Sequence, residues 1–353
     1  MVATSGTGTV SSAVVMVGSR VRVRRTIVPA AAGPSTDHCA GSTSPAGGPG
    51  PATPAGAARP DLRFPIASLS KQMTAVCALL LVDEKVLDLH GPIGRWLPDA
   101  APQWREVSVH HLLTHTAGFG HWGDRPGYEI FVRRTVAERV DLFLHSDRLS
   151  APGRRWHYSS PGYIVLGHLI ERASGRPYAA YLTDRVLRPL ALAHTTAGPA
   201  PAQAPLAAGH AGGRPVEPWD PGVLAGTTDV WSTAEDVTRF ISALHGGALL
   251  GPDRLARMTT PHAAATLHAR HDRSWLSLPG YGYGLYCGTL GGQPVVLHTG
   301  ELPGFRAIGL WLPRQAAAVA VLANDEHADL PAALADLLPD LAPRRARAQA
   351  DTP

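Results

Sequence analysis

The segment Phe64-Pro65-Ile66-Ala67-Ser68-Leu69-Ser70-Lys71 constrains this chain more than any other, because it sets a lysine three residues after a serine at the head of an apolar helix. Of 32 Lys and Arg side chains only two, Lys71 and Lys85, are lysines. Arginine stays charged at any workable pH, whereas a buried lysine can release its proton, so a site that passes protons cannot exchange one for the other. Residues three apart share a helical face, so the Ser68 hydroxyl and the Lys71 amine can touch. Ser-x-x-Lys is then a candidate activated nucleophile. On a solvated helix face the same pair would do no chemistry. Here Met73, Val76, Leu79, Leu80 and Val82 follow at helical spacing, so a helix over 68–84 turns an apolar stripe toward a core. A serine at its N-terminus also faces unpaired backbone N–H groups, which favour developing negative charge.

With 353 residues, 44% hydrophobic and 17% charged, the chain has ordinary globular composition and room for a large core. One composite domain is expected over 10–343. The formal charge of +4 comes largely from arginines at 20–25 and 344–347. No basic run is interleaved with aromatics over a folded segment, which argues against nucleic acid as a partner. The three cysteines, Cys39, Cys77 and Cys287, have no paired spacing and indicate neither a disulfide framework nor a zinc ribbon. No apolar run reaches the roughly 18 residues of a membrane span. The run Ala13–Val17 is too short for a signal-peptide core and precedes its arginines, so a cytoplasmic protein is expected.

Residues 1–9 read as disordered, Ala13–Val17 and Val21–Val23 around Gly18-Ser19 as a hairpin, and 29–60 as a flexible Ala/Gly/Pro/Ser-rich loop. The part from 68 to 250 is mainly helical. Helices are expected over Val109–Leu113 and Val136–Leu144, over a run capped by Ser160-Pro161 and ended by Ser174-Gly175, and after a capping box at Ser232-Thr233-Ala234-Glu235. From about 280 the period changes. Gln293–Leu297, Ala307–Leu312 and Ala317–Leu322 read as antiparallel strands, which with the hairpin make a five-stranded sheet. Leu330–Leu338 reads as a closing helix and 344–353 as a disordered tail.

Four further motifs follow in order. Phe64-x-x-Ala67-Ser68-Leu69-Ser70-Lys71 precedes His111-Leu112-Leu113-Thr114-His115-Thr116-Ala117-Gly118, then Tyr158-Ser159-Ser160, then His298-Thr299-Gly300 with Leu302-Pro303-Gly304-Phe305. Leu87-x-Leu89 before Pro92 and Trp231-Ser232-Thr233-Ala234-Glu235-Asp236 add support. From about residue 61 to 325 the chain resembles the serine beta-lactamase class C family, which also holds penicillin-binding DD-peptidases, D-aminopeptidases and esterases. The resemblance implies an α/β (α+β) fold of the beta-lactamase/transpeptidase type, with an antiparallel sheet flanked by helices and a mainly helical subdomain. It implies no cofactor and no metal. It also implies an acyl-enzyme on Ser68, with Lys71 sharing a proton and Tyr158 as third member. A phenol with an ordinary pKa near 10 is a poor base, but beside an ammonium its anion becomes accessible. The oxyanion hole is expected from the backbone N–H groups of Ser68 and of Glu301, which follows Thr299 and Gly300 on the strand.

Two departures bear on substrate. The third position of the tyrosine motif is commonly Asn in the family; here Ser160 offers one hydroxyl donor where an amide offers two donors and a carbonyl. The strand motif begins with His298 where beta-lactamases usually have Lys, so fixed positive charge is lost unless the imidazole is protonated. His298 occurs at this place in DD-peptidases and esterases of the family, so it stays among the candidate catalytic residues and beta-lactamase activity proper ranks lower. Arg306 is read as a surface charge in preference to a partner for a substrate carboxylate. His111 and His115, four apart, lack the Glu of the metalloprotease pattern and are read as structural.

The leading expectation is a serine hydrolase that cleaves an ester or a peptide bond of a small-molecule or peptide substrate, as an esterase or a D-Ala-D-Ala carboxypeptidase would. The alternatives are an acyltransferase or peptide cyclase on the same site, and a binding protein that keeps the fold without turnover. Ser68, Lys71 and Tyr158 together argue against the last.

Overall fold

A computed structural model describes residues 9–17, 20–28, 60–132, 134–217, 220–265 and 275–335. The expectations for residues 1–8, the turn at Gly18-Ser19, 29–59 and 344–353 lie outside them, and Thr9, expected to be disordered, begins a strand. Its centre is an antiparallel sheet of eight strands. In chain order these are β1 (Thr9–Val17), β2 (Arg20–Val28), β3 (Ala263–Ala264), β4 (Leu276–Tyr281), β5 (Tyr286–Leu290), β6 (Gln293–Leu302), β7 (Phe305–Leu312) and β8 (Ala317–Ala323). Their spatial order is β2-β1-β8-β7-β6-β5-β4-β3.

The hairpin and the three C-terminal strands are the five anticipated, and β5, β4 and β3 extend the sheet beyond them. Their sequence, Leu-Ser-Leu-Pro-Gly-Tyr followed by Tyr-Cys-Gly-Thr-Leu, breaks the apolar alternation with Pro279, Gly280 and Gly288. A register shift between Cys287 and Thr289 accommodates the break. At Gly288 a Cβ would lie 1.9 Å from the Ser277 carbonyl oxygen, so the irregular pairing requires glycine there.

Ser68 lies in a 3-10 turn, Ala67–Ser70, that runs directly into helix α1, Lys71–Asp83. The expected apolar stripe is exceeded: from Lys71 to Leu79 every residue is buried. The helix over Ser160–Ser174 packs against it, and a helix covered on all sides needs no polar face. In chain order α2 is Val109–Leu113, α3 Val136–His145, α4 Ser160–Ser174, α5 Ala234–His245 and α6 Leu330–Ala335. The expected closing helix is described over Leu330–Ala335, and the expectation for 336–338 lies outside the described residues.

Two caps fall one residue away from their expected places. The N-cap of α4 is Ser159, whose side chain accepts from the Gly162 N–H, so the Ser160 hydroxyl is released for another partner. Thr233, not Ser232, caps α5 by accepting from the Asp236 N–H. Ser232 is held in a short strand, Val230–Ser232, paired with Phe64–Pro65, and its hydroxyl meets that of Thr195. Pairing with Phe64 fixes the entry to the Ser68 turn. Among the described residues no helix is long and apolar enough to cross a membrane.

Candidate active site

Ala67, the residue before Ser68, has φ +52°, a left-handed conformation that a side chain disfavours. It turns the chain out of the Phe64–Pro65 strand and starts the 3-10 turn, which the Ser70 hydroxyl closes by donating to the Ala67 carbonyl at 2.7 Å. Against this turn lies β6, which continues through residues 298–302 past the end of its pairing with β5 at Leu297. Gly300 sits so close that a Cβ there would lie 2.2 Å from the Ile66 carbonyl oxygen, so only glycine permits the approach. Glu301 follows Gly300 on this strand, next to the turn that bears Ser68.

Lys71 is fully buried. Its Nζ lies 2.9 Å from Ser68 Oγ, 3.2 Å from Ser160 Oγ and 3.4 Å from the Thr227 carbonyl oxygen. It also lies 5.1 Å from the Tyr158 ring centroid and 5.7 Å from that of Tyr163. The Tyr158 hydroxyl is hydrogen-bonded to Ser68. The Lys71 amine, three residues on, and the Tyr158 phenol, far along the chain, thus converge on the Ser68 oxygen. Ser68 and Tyr158 keep some exposure while Lys71 and Ser160 do not, so a substrate meets the first two.

Burial drives the lysine pKa well below its ordinary value, opposed by the Asp229 carboxylate. Burial also raises Tyr158, with Glu301 adding to the rise and only the Ser68 hydrogen bond opposing it. Both shifts favour the uncharged forms, so burial works against a phenolate beside an ammonium. Desolvation disfavours both charged forms, and it is the largest cause of both shifts.

His298 is buried beside Tyr158, with ring centroids 6.0 Å apart, yet its nitrogens face elsewhere. Nε2 meets the Tyr281 hydroxyl at 3.1 Å and Nδ1 the Thr299 carbonyl at 2.6 Å. Burial first, and Lys71 second, lower its pKa to about 3, so the imidazole supplies no positive charge near neutrality. Thr299 is half-buried, and the Glu301 side chain is exposed with Arg306 Nη1 3.4 Å from its carboxylate. Arg306 also donates to the Glu326 carbonyl. Among the described residues no cluster of three or more His, Cys, Asp or Glu is arranged to hold a metal ion.

Two groups at the site, His121 and Asp229, lie in no recognised motif, and a third, His115, has only a structural role by sequence. His121 Nδ1 accepts from the Ser160 N–H at 3.2 Å, and its ring meets the Tyr158 ring edge-on. His115 lies in the His-Thr-Ala-Gly motif, where it was taken as structural. Asp229, fully buried, braces the loop that offers the Thr227 carbonyl to Lys71: its Oδ1 accepts from the Gly226 N–H at 2.9 Å. A lone acid between Thr228 and the apolar Val230-Trp231 was the available clue.

Burial raises the Asp229 carboxyl from 3.8 to about 7, partly offset by the Gly226 N–H and Lys71. A carboxyl raised on folding contributes stability that is full below its unfolded pKa and is lost as pH climbs through the folded one, here between about 4 and about 7. The loss is at most roughly 4 kcal/mol. Asp229→Asn keeps the oxygen that accepts from Gly226 and cannot ionise. Calorimetry is expected to give it a melting temperature near wild type at about pH 4 and above wild type at about pH 8. A variant less stable than wild type at the higher pH would mean that the carboxylate is a net stabilising partner of Lys71.

The Beta-lactamase family model matches residues 11–342. The chain is 30% identical over 271 residues to Esterase EstB of Burkholderia gladioli, covering 64% of this chain and 66% of that protein. It is 32% identical over 143 residues to Penicillin-binding protein 4* of Bacillus subtilis strain 168, covering 37% of this chain and 30% of that one. The matched part thus spans under two thirds of these relatives. Among solved structures, D-amino acid amidase from Ochrobactrum anthropi SV3 superposes with a TM-score of 0.69 at 24% identity, covering 90% of this chain and 87% of that one. At that identity the likeness speaks for the fold.

Proposed function

From the premise that this chain belongs to the beta-lactamase family, we propose that it is a serine hydrolase that works through an acyl-enzyme on Ser68. The observation that carries the reading is the 2.9 Å contact from a fully buried, charge-disfavoured Lys71 amine to the Ser68 hydroxyl. A neutral amine at that distance takes the hydroxyl proton as Oγ bonds to a substrate carbonyl carbon. The oxyanion that forms is received by the backbone N–H groups of Ser68 and Glu301, donors that are fixed before the reaction and need no reorganisation. As the bond to the leaving oxygen or nitrogen breaks, the Tyr158 phenol gives that atom its proton. It then regains one from the Lys71 ammonium, which returns both groups to their neutral state. Water repeats the cycle on the acyl group.

The substrate class we favour is an ester or a peptide bond with no demand for a cation at His298. Esterase EstB and Penicillin-binding protein 4*, the relatives matched, agree with that range. Turnover of a panel of aryl esters, D-amino-acid peptides and a chromogenic cephalosporin, each run with Ser68→Ala as control, tests the reading. Hydrolysis of at least one ester or peptide that vanishes in Ser68→Ala is expected. Equal turnover by both proteins, or none by either, would contradict it, and product formed only when an amine acceptor is added would point to acyl transfer.

A further inference from the structure

Behind the Ser68 cluster, four hydrogen bonds run in series through buried side chains. The Ser159 N–H donates to His115 Nδ1 at 3.2 Å, His115 Nε2 meets the Tyr281 hydroxyl at 3.1 Å, that hydroxyl meets His298 Nε2 at 3.1 Å, and His298 Nδ1 meets the Thr299 carbonyl at 2.6 Å. Imidazole roles depend on which nitrogen carries the proton, but here both ends of the series are backbone groups with only one possible role. An amide N–H can only donate and a carbonyl can only accept. His115 therefore accepts at Nδ1 and, as a neutral ring, donates from Nε2. Tyr281 accepts that proton and donates its own to His298 Nε2. His298 carries its proton on Nδ1 and donates it to Thr299.

One side interaction bears on the direction. The Tyr163 hydroxyl lies beside that of Tyr281, but it donates to the Leu113 carbonyl at 2.9 Å. If Tyr281 gave its proton to Tyr163 instead, His298 would have to protonate Nε2 and leave a bare Nδ1 lone pair 2.6 Å from the Thr299 oxygen. Two acceptors at that separation repel, so the Thr299 end selects the direction.

The ends of the series are informative. Ser159 follows Tyr158 and caps α4, which holds Ser160 against Lys71. Thr299 precedes Gly300 and Glu301 on the overhanging part of β6. We propose that Tyr281 is a positioning residue, the central link of a one-way hydrogen-bond chain that ties the segment bearing Tyr158 to the strand bearing Glu301 and fixes His115 and His298 as opposite neutral tautomers. The chain couples the phenol to the oxyanion donor, two parts of the site that no covalent segment joins directly.

The surroundings keep it neutral. Burial, Lys71, and the imidazoles of His298, His121 and His157 all oppose a proton on His115. On His298, burial and Lys71 do the same, and the rings that face it are Tyr158, Tyr281 and Tyr286. A charge on His115 would set its Nδ1–H against the Ser159 N–H, and a charge on His298 would reverse its link to Tyr281.

Long-range ¹H–¹⁵N NMR on the intact protein labelled at histidine, assigned with His115→Gln and His298→Gln, tests the chain. The expected spectrum has His298 protonated on Nδ1 and His115 on Nε2, both unchanged from about pH 5 to about pH 8, the range where an ordinary histidine titrates. A His298 ring protonated on Nε2, or on both nitrogens, would overturn the proposal. Tyr281→Phe removes the central link and is expected to lower the rate of Ser68 acylation by about tenfold or more, with KM nearly unchanged and the His298 resonances displaced. It should also be non-additive with His298→Gln. Wild-type acylation by Tyr281→Phe would show that the chain positions nothing; if that variant does not fold, His115→Gln cuts the chain from the other side. The rate readout rests on the acyl-enzyme reading, whereas the wild-type spectrum does not. An unreactive Ser68 in wild type would therefore sink that reading and leave the tautomers to be judged separately.

Discussion

Lys71→Arg is expected to lower kcat/KM by about 10²–10⁴ on any substrate that wild type turns over, the range that positioned proton transfer supplies. Arginine carries the charge that a lysine ammonium would, so a purely electrostatic role for the lysine predicts a small effect. A guanidinium, however, does not release its proton in this range, and the reaction needs a neutral base 2.9 Å from Ser68 Oγ. The slot is also closed: Lys71 has no exposure and already meets Ser68, Ser160 and Thr227. Overpacking it should lower the melting temperature as well. Lys71→Met, similar in length and uncharged, separates the two effects, because it should keep stability near wild type while losing activity to the same degree. Near-wild-type activity in Lys71→Met would mean that another group takes the Ser68 proton. The pH dependence has a definite sign. Activity should rise with pH as Lys71 deprotonates and level off well below the ordinary lysine range, since burial lowers this amine.

Tyr158→Phe is the second large effect, again about 10²–10⁴ in kcat. The ring packs among His115, His121, Tyr286 and His298, so phenylalanine preserves the shape and removes only the hydroxyl. In the proposed cycle that hydroxyl protonates the leaving atom. The defect should therefore shrink for leaving groups that need no proton, such as nitrophenolate, and stay large for alkoxides and amines. A uniform loss across leaving groups would assign the phenol a binding role instead. The resting proton location matters here: with burial raising Tyr158, the phenol is the acid available at neutral pH, and no alkaline pretreatment should be required.

The convergence of Ser68, Lys71 and Tyr158 was legible because each lies in a motif whose spacing forces a local geometry, and the order of the motifs completed the set. The 3-10 turn running into α1 keeps residues 68 and 71 on one side, as helical spacing requires. The sheet was legible where apolar runs were unbroken, as in Ala317–Ala323, and illegible at Leu276–Leu290, where proline, glycines and a register shift disrupt alternation. The caps of α4 and α5 were misplaced by one residue because two hydroxyl residues stand side by side in each, Ser159-Ser160 and Ser232-Thr233, and at α5 strand pairing at Ser232 leaves Thr233 to cap. His298 was recognised by its motif, but not the direction of its nitrogens, since Tyr281 and His115 are brought to it only by the folded sheet. Asp229 belongs to the same class: its burial under Lys71 arises from packing that no local pattern records.

The central claim is that a covalent bond forms at Ser68 Oγ. Intact-mass analysis after brief incubation with a fluorophosphonate or penicillin, followed by peptide mapping, tests it most directly. A single adduct on the peptide containing Ser68, absent in Ser68→Ala and slow to form in Lys71→Met, is the predicted result. An adduct of equal size on Ser68→Ala, or none on the wild-type protein, would contradict the account.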